Sequence, residues 1–119
     1  MLFTHEMDAV PNHEWRVLPI LRSLPDATGE VAFLVAHVPI FAIVIALVAS
    51  LNANTRLLTQ KFASGFLIVH AALHFAFSGH ADYEFSSITS RVLIYGAALC
   101  GIAVFTLLLT ERDKDTTEQ

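Results

Sequence analysis

The sequence predicts an all-α fold: an integral membrane helical bundle with three transmembrane helices and a polar N-terminal interfacial segment, all in one domain over residues 1–119. Three observations carry that expectation. Residues 31–55, 62–81 and 92–110 contain no Asp, Glu, Lys or Arg. Each run approaches the length needed to cross a bilayer, since about 20 residues at 1.5 Å rise span the ~30 Å hydrocarbon core. The helices of a soluble bundle would each show a charged face at helical spacing, and these show none. Composition agrees, with 55% apolar residues and a mean hydropathy of +0.59.

Residues 1–28 form the polar segment, where Pro11, Pro19 and Pro25 limit any helix to short pieces. The stretch around Trp15 to Arg22 mixes apolar and basic residues, which suits a piece lying at the membrane interface with Trp15 at headgroup level. The first span is expected over 29–51, capped by Thr28, with Glu30 answering the helix dipole in the first turn and Pro39 loosening the backbone beyond His37. A polar turn at 52–56 leads to the second span, 57–79. A loop at 80–90 carries Tyr83 and Phe85 as interfacial aromatics. The third span, 87–109, bears the small residues Gly96, Ala97, Ala98, Cys100 and Gly101 at mid-helix, which permits close packing against another helix or another copy of the chain. Its apolar middle holds no ionisable group, so it reads as scaffold or oligomer contact. The tail, 110–119, is charged and expected to be disordered.

Charge and cysteine content exclude several classes. A net charge of −4 without a Lys/Arg cluster argues against nucleic acid and against a polybasic anchor. The lone cysteine, Cys100, has no intrachain disulfide partner. The first 20 residues carry Glu6, Asp8, His13 and Glu14 where a cleavable signal would need an apolar core, so targeting is expected to reside in the spans. Three spans place the N-terminal segment and the 80–90 loop on one face. Lys and Arg number three on that face and four on the other, a slight bias toward a cytoplasmic C-terminus.

That topology makes the histidines informative. His37 lies seven residues past Glu30, and His74 eight residues before Asp82 at the same end of the next helix, so both sit about 10 Å in by helical rise. His70 stands one turn from His74 on the same face. An imidazole in hydrocarbon is costly unless paired, and is a functional candidate for that reason. From the N-terminal segment His5, Glu6, Asp8, His13 and Glu14 approach the same depth. His5 and Asp8, three apart on a helical turn, are placed to share a metal or a proton. His80, beside Asp82, reads as a solvated loop residue.

Imidazole and carboxylate donors together suit zinc, iron or manganese, with His37, His70, His74, His5, Asp8 and His13 as candidate ligands and Glu14 or Glu6 as candidate general bases. Di-iron carboxylate bundles use Glu-x-x-His pairs, whereas this chain has His-x-x-Asp and His-x-x-x-His, so that analogy extends to donor supply and not to motif. Three other readings stay open: a haem or metal carrier with His37 opposite His70 or His74, an oligomeric proton or ion pathway, and histidines that only tie helices together by hydrogen bonds. Against a pathway, the far half of the helices offers only Ser50, Ser64, Thr59 and Thr106 as polar groups. The partners expected are membrane lipid, a lipid-soluble substrate and a second copy of the chain, with no nucleic acid.

The run His5-Glu6-x-Asp8-Ala9, then His13-Glu14-Trp15, His37-Val38-Pro39 and His70-x-x-x-His74 resembles an uncharacterised family of small bacterial integral membrane proteins, known only as a domain of unknown function. The resemblance covers the chain to about Leu109. It implies a helical membrane fold, with the bacterial inner membrane as its location, and no established activity.

Overall fold

The structure is a computed structural model that describes the backbone of residues 2–117 and the side chains of residues 2–110. Its described residues form four α-helices and no strand: α1 (Leu2–Ala9), α2 (Asp26–Val48), α3 (Ala53–Phe77) and α4 (Ile88–Thr117). Single 3₁₀ turns at Glu14–Arg16 and Leu21–Ser23 fill the segment between α1 and α2. The helical backbone of α4 runs past the boundary expected at 109. The side chains of the expected tail from 111 onward lie outside the described residues.

The helix boundaries follow local chemistry. Pro25, extended at φ −54° and ψ 140°, receives the amides of Thr28 and Gly29 on its carbonyl at 2.8 and 2.9 Å, so α2 begins at Asp26 instead of at the expected 29. Asp26 places a carboxylate in the first turn, where the helix dipole favours it. At the far end Asn52 caps α3, its Oδ1 accepting from the amides of Asn54 and Thr55 at 2.9 and 3.2 Å, so the turn is 49–52 and not 52–56. Pro39 stays inside α2, which continues through it. With no N–H at 39, the Val35 carbonyl loses its usual helical donor.

α3 and α4 make the tightest pair because their contact is built from small groups. A Cβ on Gly101 would come within 2.8 Å of the Ser64 carbonyl oxygen, so only glycine allows this approach. Ser64 on α3, and Ser90, Ile94, Ala97 and Ala98 on α4, are buried alongside. α2 packs far less closely: only Gly29 and Phe33 are buried along its length, and Val31, Val38 and Ile43 stand 59%, 71% and 57% exposed.

The N-terminal segment is docked, not trailing. Trp15 is buried, 2% exposed, and lies over Gly29, where an added Cβ would stand 3.0 Å from its ring. Its Nε1–H donates to Asp26 Oδ1 at 2.9 Å. The Arg16 guanidinium grips the same carboxylate through two bonds of 2.8 Å and reaches Glu84 at 3.2 Å. The Trp15 ring is thus covered within the chain, its indole N–H held by the Asp26 carboxylate, which is 57% exposed at the start of α2.

α2 and α4 are long and apolar enough to cross a membrane. α3 is as long, with 25 residues, but carries Gln60, Lys61, His70 and His74. Replacing Gly29 by Leu should drive Trp15 off α2 at a cost on the order of 1–3 kcal/mol, as overpacking does. Limited proteolysis checks this: the wild-type segment before Asp26 should resist cleavage, and the Gly29→Leu segment should be clipped while α3 and α4 stay whole.

Candidate metal centre

α1 carries His5 inward, 1% exposed, against the face of α3 that presents His70 and His74 one turn apart. Three ring nitrogens converge. His5 Nε2 stands 2.8 Å from His70 Nε2, and His70 Nε2 stands 3.1 Å from His74 Nε2. Glu14 closes the group, with Oε1 at 3.6 Å from His74 Nε2 and 3.8 Å from His70 Nε2, and Oε2 at 4.0 Å from His5 Nε2. All four donor atoms lie within 4.8 Å of one another.

The backbone delivers Glu14 by a strained turn. His13 adopts φ 48° and ψ 46°, the only positive φ at a described non-glycine residue. That left-handed step sends the Glu14 side chain inward, 4% exposed, and leaves His13 outside, where Nδ1 pairs with Glu84 Oε2 at 2.9 Å. The hairpin of α1 and the turn thus supplies one imidazole and one carboxylate to a pair of imidazoles already fixed by helical geometry.

Aromatic rings close the group off from solvent. Phe85, 1% exposed, packs edge-on against His74 with centroids 4.7 Å apart and tilts over His5 at 5.7 Å. Phe66 stacks on His70 at 5.2 Å and 27°. The Tyr83 hydroxyl faces His74 Nδ1 at 3.2 Å. Three buried polar atoms have no hydrogen-bond partner among the described residues: His5 Nδ1, Asp8 Oδ2 and Glu14 Oε2. His5 and Asp8 are three residues apart on α1, so both orphans lie behind the same ligand face.

Protons serve this arrangement unevenly. His70 Nε2 either carries a hydrogen, which it can aim at one neighbour, or a lone pair, which faces two. A cation at the centre would accept all three lone pairs at once. Tetrahedral ligands at about 2.0–2.1 Å from zinc stand about 3.3–3.4 Å apart, so the two imidazole contacts of 2.8 and 3.1 Å would each widen by less than an ångström. Burial pushes the His5 imidazole down to about 4 despite the nearby Glu14 carboxylate, leaving it neutral at physiological pH, the form that ligates. Burial pushes the Glu14 carboxyl up, but the His74 imidazole and then those of His70 and His5 outweigh it, so its net shift is downward.

The remaining expected site residues lie around this group. His37, placed at equal depth by the sequence, stands outside it: its Nδ1–H donates to the Phe33 carbonyl at 2.6 Å and its Nε2 faces Glu6 Oε2 at 3.0 Å. Glu6 is pushed up to about 7, by burial first and the Glu14 charge second, against the opposing pull of His37. His80 pairs with Asp82 at 3.6 Å in the loop, away from the cluster. Tyr83, Phe85 and Glu84 take part without having been expected to; an aromatic in a short loop carries no mark of which way it folds.

The cluster, its aromatic cover and its N-terminal turn all fall within residues 1–111, the span matched by one protein-family model. The chain belongs to a family of unknown function, DUF6713. No curated protein and no solved structure matches it. For DUF6713 the site geometry therefore has to carry the functional argument.

His13 separates two demands that the sequence merges. If it serves the backbone and the rim only, His13→Gly should retain the fold and the buried cluster, because glycine adopts φ 48° freely. His13→Val should cost on the order of 1–3 kcal/mol, the usual strain of a β-branched residue forced left-handed. Unfolding of the purified variants in graded SDS compares the two.

Proposed function

We propose that the protein is a three-span membrane protein that holds one divalent metal through His5, His70 and His74 and uses it, with Glu14 as general base, on a membrane-dissolved substrate. The membrane part rests on exposure. The most apolar stretch of α2 is 6% buried and that of α4 22%, whereas the core helix of a water-soluble protein would be mostly covered. α3 packs along α4 at Ser64 and Gly101, so if α4 crosses, α3 crosses beside it, and its 25 residues reach about 37 Å by helical rise. His74 lies in its last turn, so the cluster sits just inside the face shared by the N-terminal segment and the 78–87 loop.

The observation that carries the metal is the convergence of three imidazole nitrogens in a buried, aromatic-walled pocket beside a Glu14 oxygen that has no hydrogen-bond partner. Three histidines and an open position are the donor set of catalytic zinc sites, and a metal so held supplies Lewis acidity and lowers the pKa of a bound water. Glu14 stands 3.6 to 4.0 Å from the imidazole nitrogens, farther than the 2.8 and 3.1 Å of the two contacts through His70, and one of its oxygens lacks a partner. A carboxylate so placed is suited to take a proton from a group at the open position. Iron and manganese fit the same nitrogen and oxygen donors. Haem fits less well, because both ring nitrogens of His37 are already engaged, by Phe33 and Glu6.

A second reading is favoured by one fact: all four donors lie within 4.8 Å, close enough for Glu14 to be the fourth ligand of a closed, structural site that staples α1 to α3. Elemental analysis of detergent-purified protein distinguishes the two. The wild type should hold one equivalent of zinc, iron or manganese. His70→Ala and His74→Ala should weaken retention by at least the roughly 10–100-fold typical of lesser, outer-sphere changes, and His80→Ala should leave it intact. Glu14→Gln should keep the metal on the catalytic reading and lose it on the structural one. Wild type that holds no metal after incubation with excess zinc, or His70→Ala with full metal, would falsify both.

A further inference from the structure

Beside the cluster, between α1, α2 and α3, lies a cavity of about 570 Å³. Its walls run along α2 from His37 to Leu47, ten residues or about 15 Å of helix, and along α3 from Phe66 back to Thr55. A volume of 570 Å³ over that length corresponds to a slot about 6 Å across. An extended alkyl chain fits within it. The walls are apolar, with Phe41, Val44, Leu58 and Phe62 among them. Thr59 also lines the slot, but its hydroxyl donates to the Thr55 carbonyl of its own helix at 2.7 Å. Glu6 and His37 stand together at the inner end, 3.0 Å apart.

The inner end selects the head of an occupant. The Phe33 carbonyl can only accept, so His37 Nδ1 carries its hydrogen, and Nε2 faces one Glu6 oxygen at 3.0 Å. The other Glu6 oxygen is left as an acceptor. No Lys or Arg lines the slot among the described residues, so a phosphate or carboxylate head would find a carboxyl group and no Lys or Arg to pair with. A methyl or methylene group there would strip water from Glu6 and His37 without replacing its hydrogen bonds. A neutral hydroxyl donates to the carboxylate and meets neither objection.

We propose that this slot binds a long-chain alcohol taken from the membrane, its hydroxyl on Glu6 and its chain running between α2 and α3 toward the 49–52 turn. The proposal rests on the membrane reading of the preceding section and not on the metal.

The test uses the full chain in phosphatidylcholine vesicles, photolabelled with tetradecanol bearing a terminal diazirine, and the adducts mapped by mass spectrometry. Adducts should concentrate on the slot walls around Val44, Leu58 and Phe62. Excess tetradecanol should suppress them several-fold while leaving adducts on the outer face of α4, at Val92 and Leu99, unchanged. Ala63→Phe, which fills the slot, and Glu6→Leu, which removes the acceptor, should each reduce wall labelling several-fold; metal content and helicity measured on the same samples show whether the fold is intact. Wall labelling that excess alcohol does not suppress means bulk lipid access and overturns the proposal. So does competition by myristate or by added diacyl phospholipid equal to that by tetradecanol, or undiminished labelling of a folded Ala63→Phe protein. Retained labelling in protein that holds no metal supports the slot and counts against the metal reading alone.

Discussion

The structure depends on one constraint: imidazole nitrogens that have left water must find something to bind. His70 and His74 are committed to the same face of α3 by helical periodicity, and α3 is flanked by helices with almost nothing polar to offer them. The required partners come from the N-terminal segment, which folds back to bring His5 and Glu14 within reach. The rest of that segment serves the docking. Trp15 fills the gap over Gly29, Arg16 ties Asp26 to Glu84, and His13 accepts a left-handed backbone so that its successor can turn inward.

α3 is the helix on which both halves of the molecule meet. One face packs against α4 through Ser64 and Gly101, a contact so close that the glycine admits no Cβ. Another carries the two histidines. Packing of that kind fixes the azimuth of α3, and with it the direction of His70 and His74, before any ligand is considered. α2 is under no such restraint. It is held mainly near its N-terminus, through Gly29 and Phe33, and its looser approach to α3 farther along is what leaves room for the slot.

Much of the fold was legible because absence of charge over a helix-spanning length is a strong signal. Boundaries were less so: the expected start at 29 and turn at 52–56 overlooked that Pro25 can stand at an N-cap and start the helix at Asp26, and that the Asn52 side chain is placed to accept from the amides of Asn54 and Thr55. In the site, the pair His70 and His74 was readable from spacing alone, and the return of His5 and Glu14 from the demand for partners. Depth misled for His37. Helical rise says how far into the bundle a residue sits but not its angle around the axis, which turns by about 100° per residue. His37 sits at a comparable level yet faces Glu6. His13 could not be separated from Glu14 by sequence either, since the distinction lies in one left-handed backbone step.

The adjacent residues His5 and Glu6 show what that angle accomplishes. One residue apart on α1, they point to different neighbours, His5 to the imidazoles of α3 and Glu6 to His37 of α2. An eight-residue helix therefore forms a wall of both polar centres, and neither can shift α1 without moving the other. The two centres also share a field, since the Glu14 charge is among the causes that raise Glu6. A short helix with few apolar contacts of its own has little intrinsic stability. Its position is set by what His5 and Glu6 contact, so a ligand bound at either centre would act on α1 and, through it, on the other.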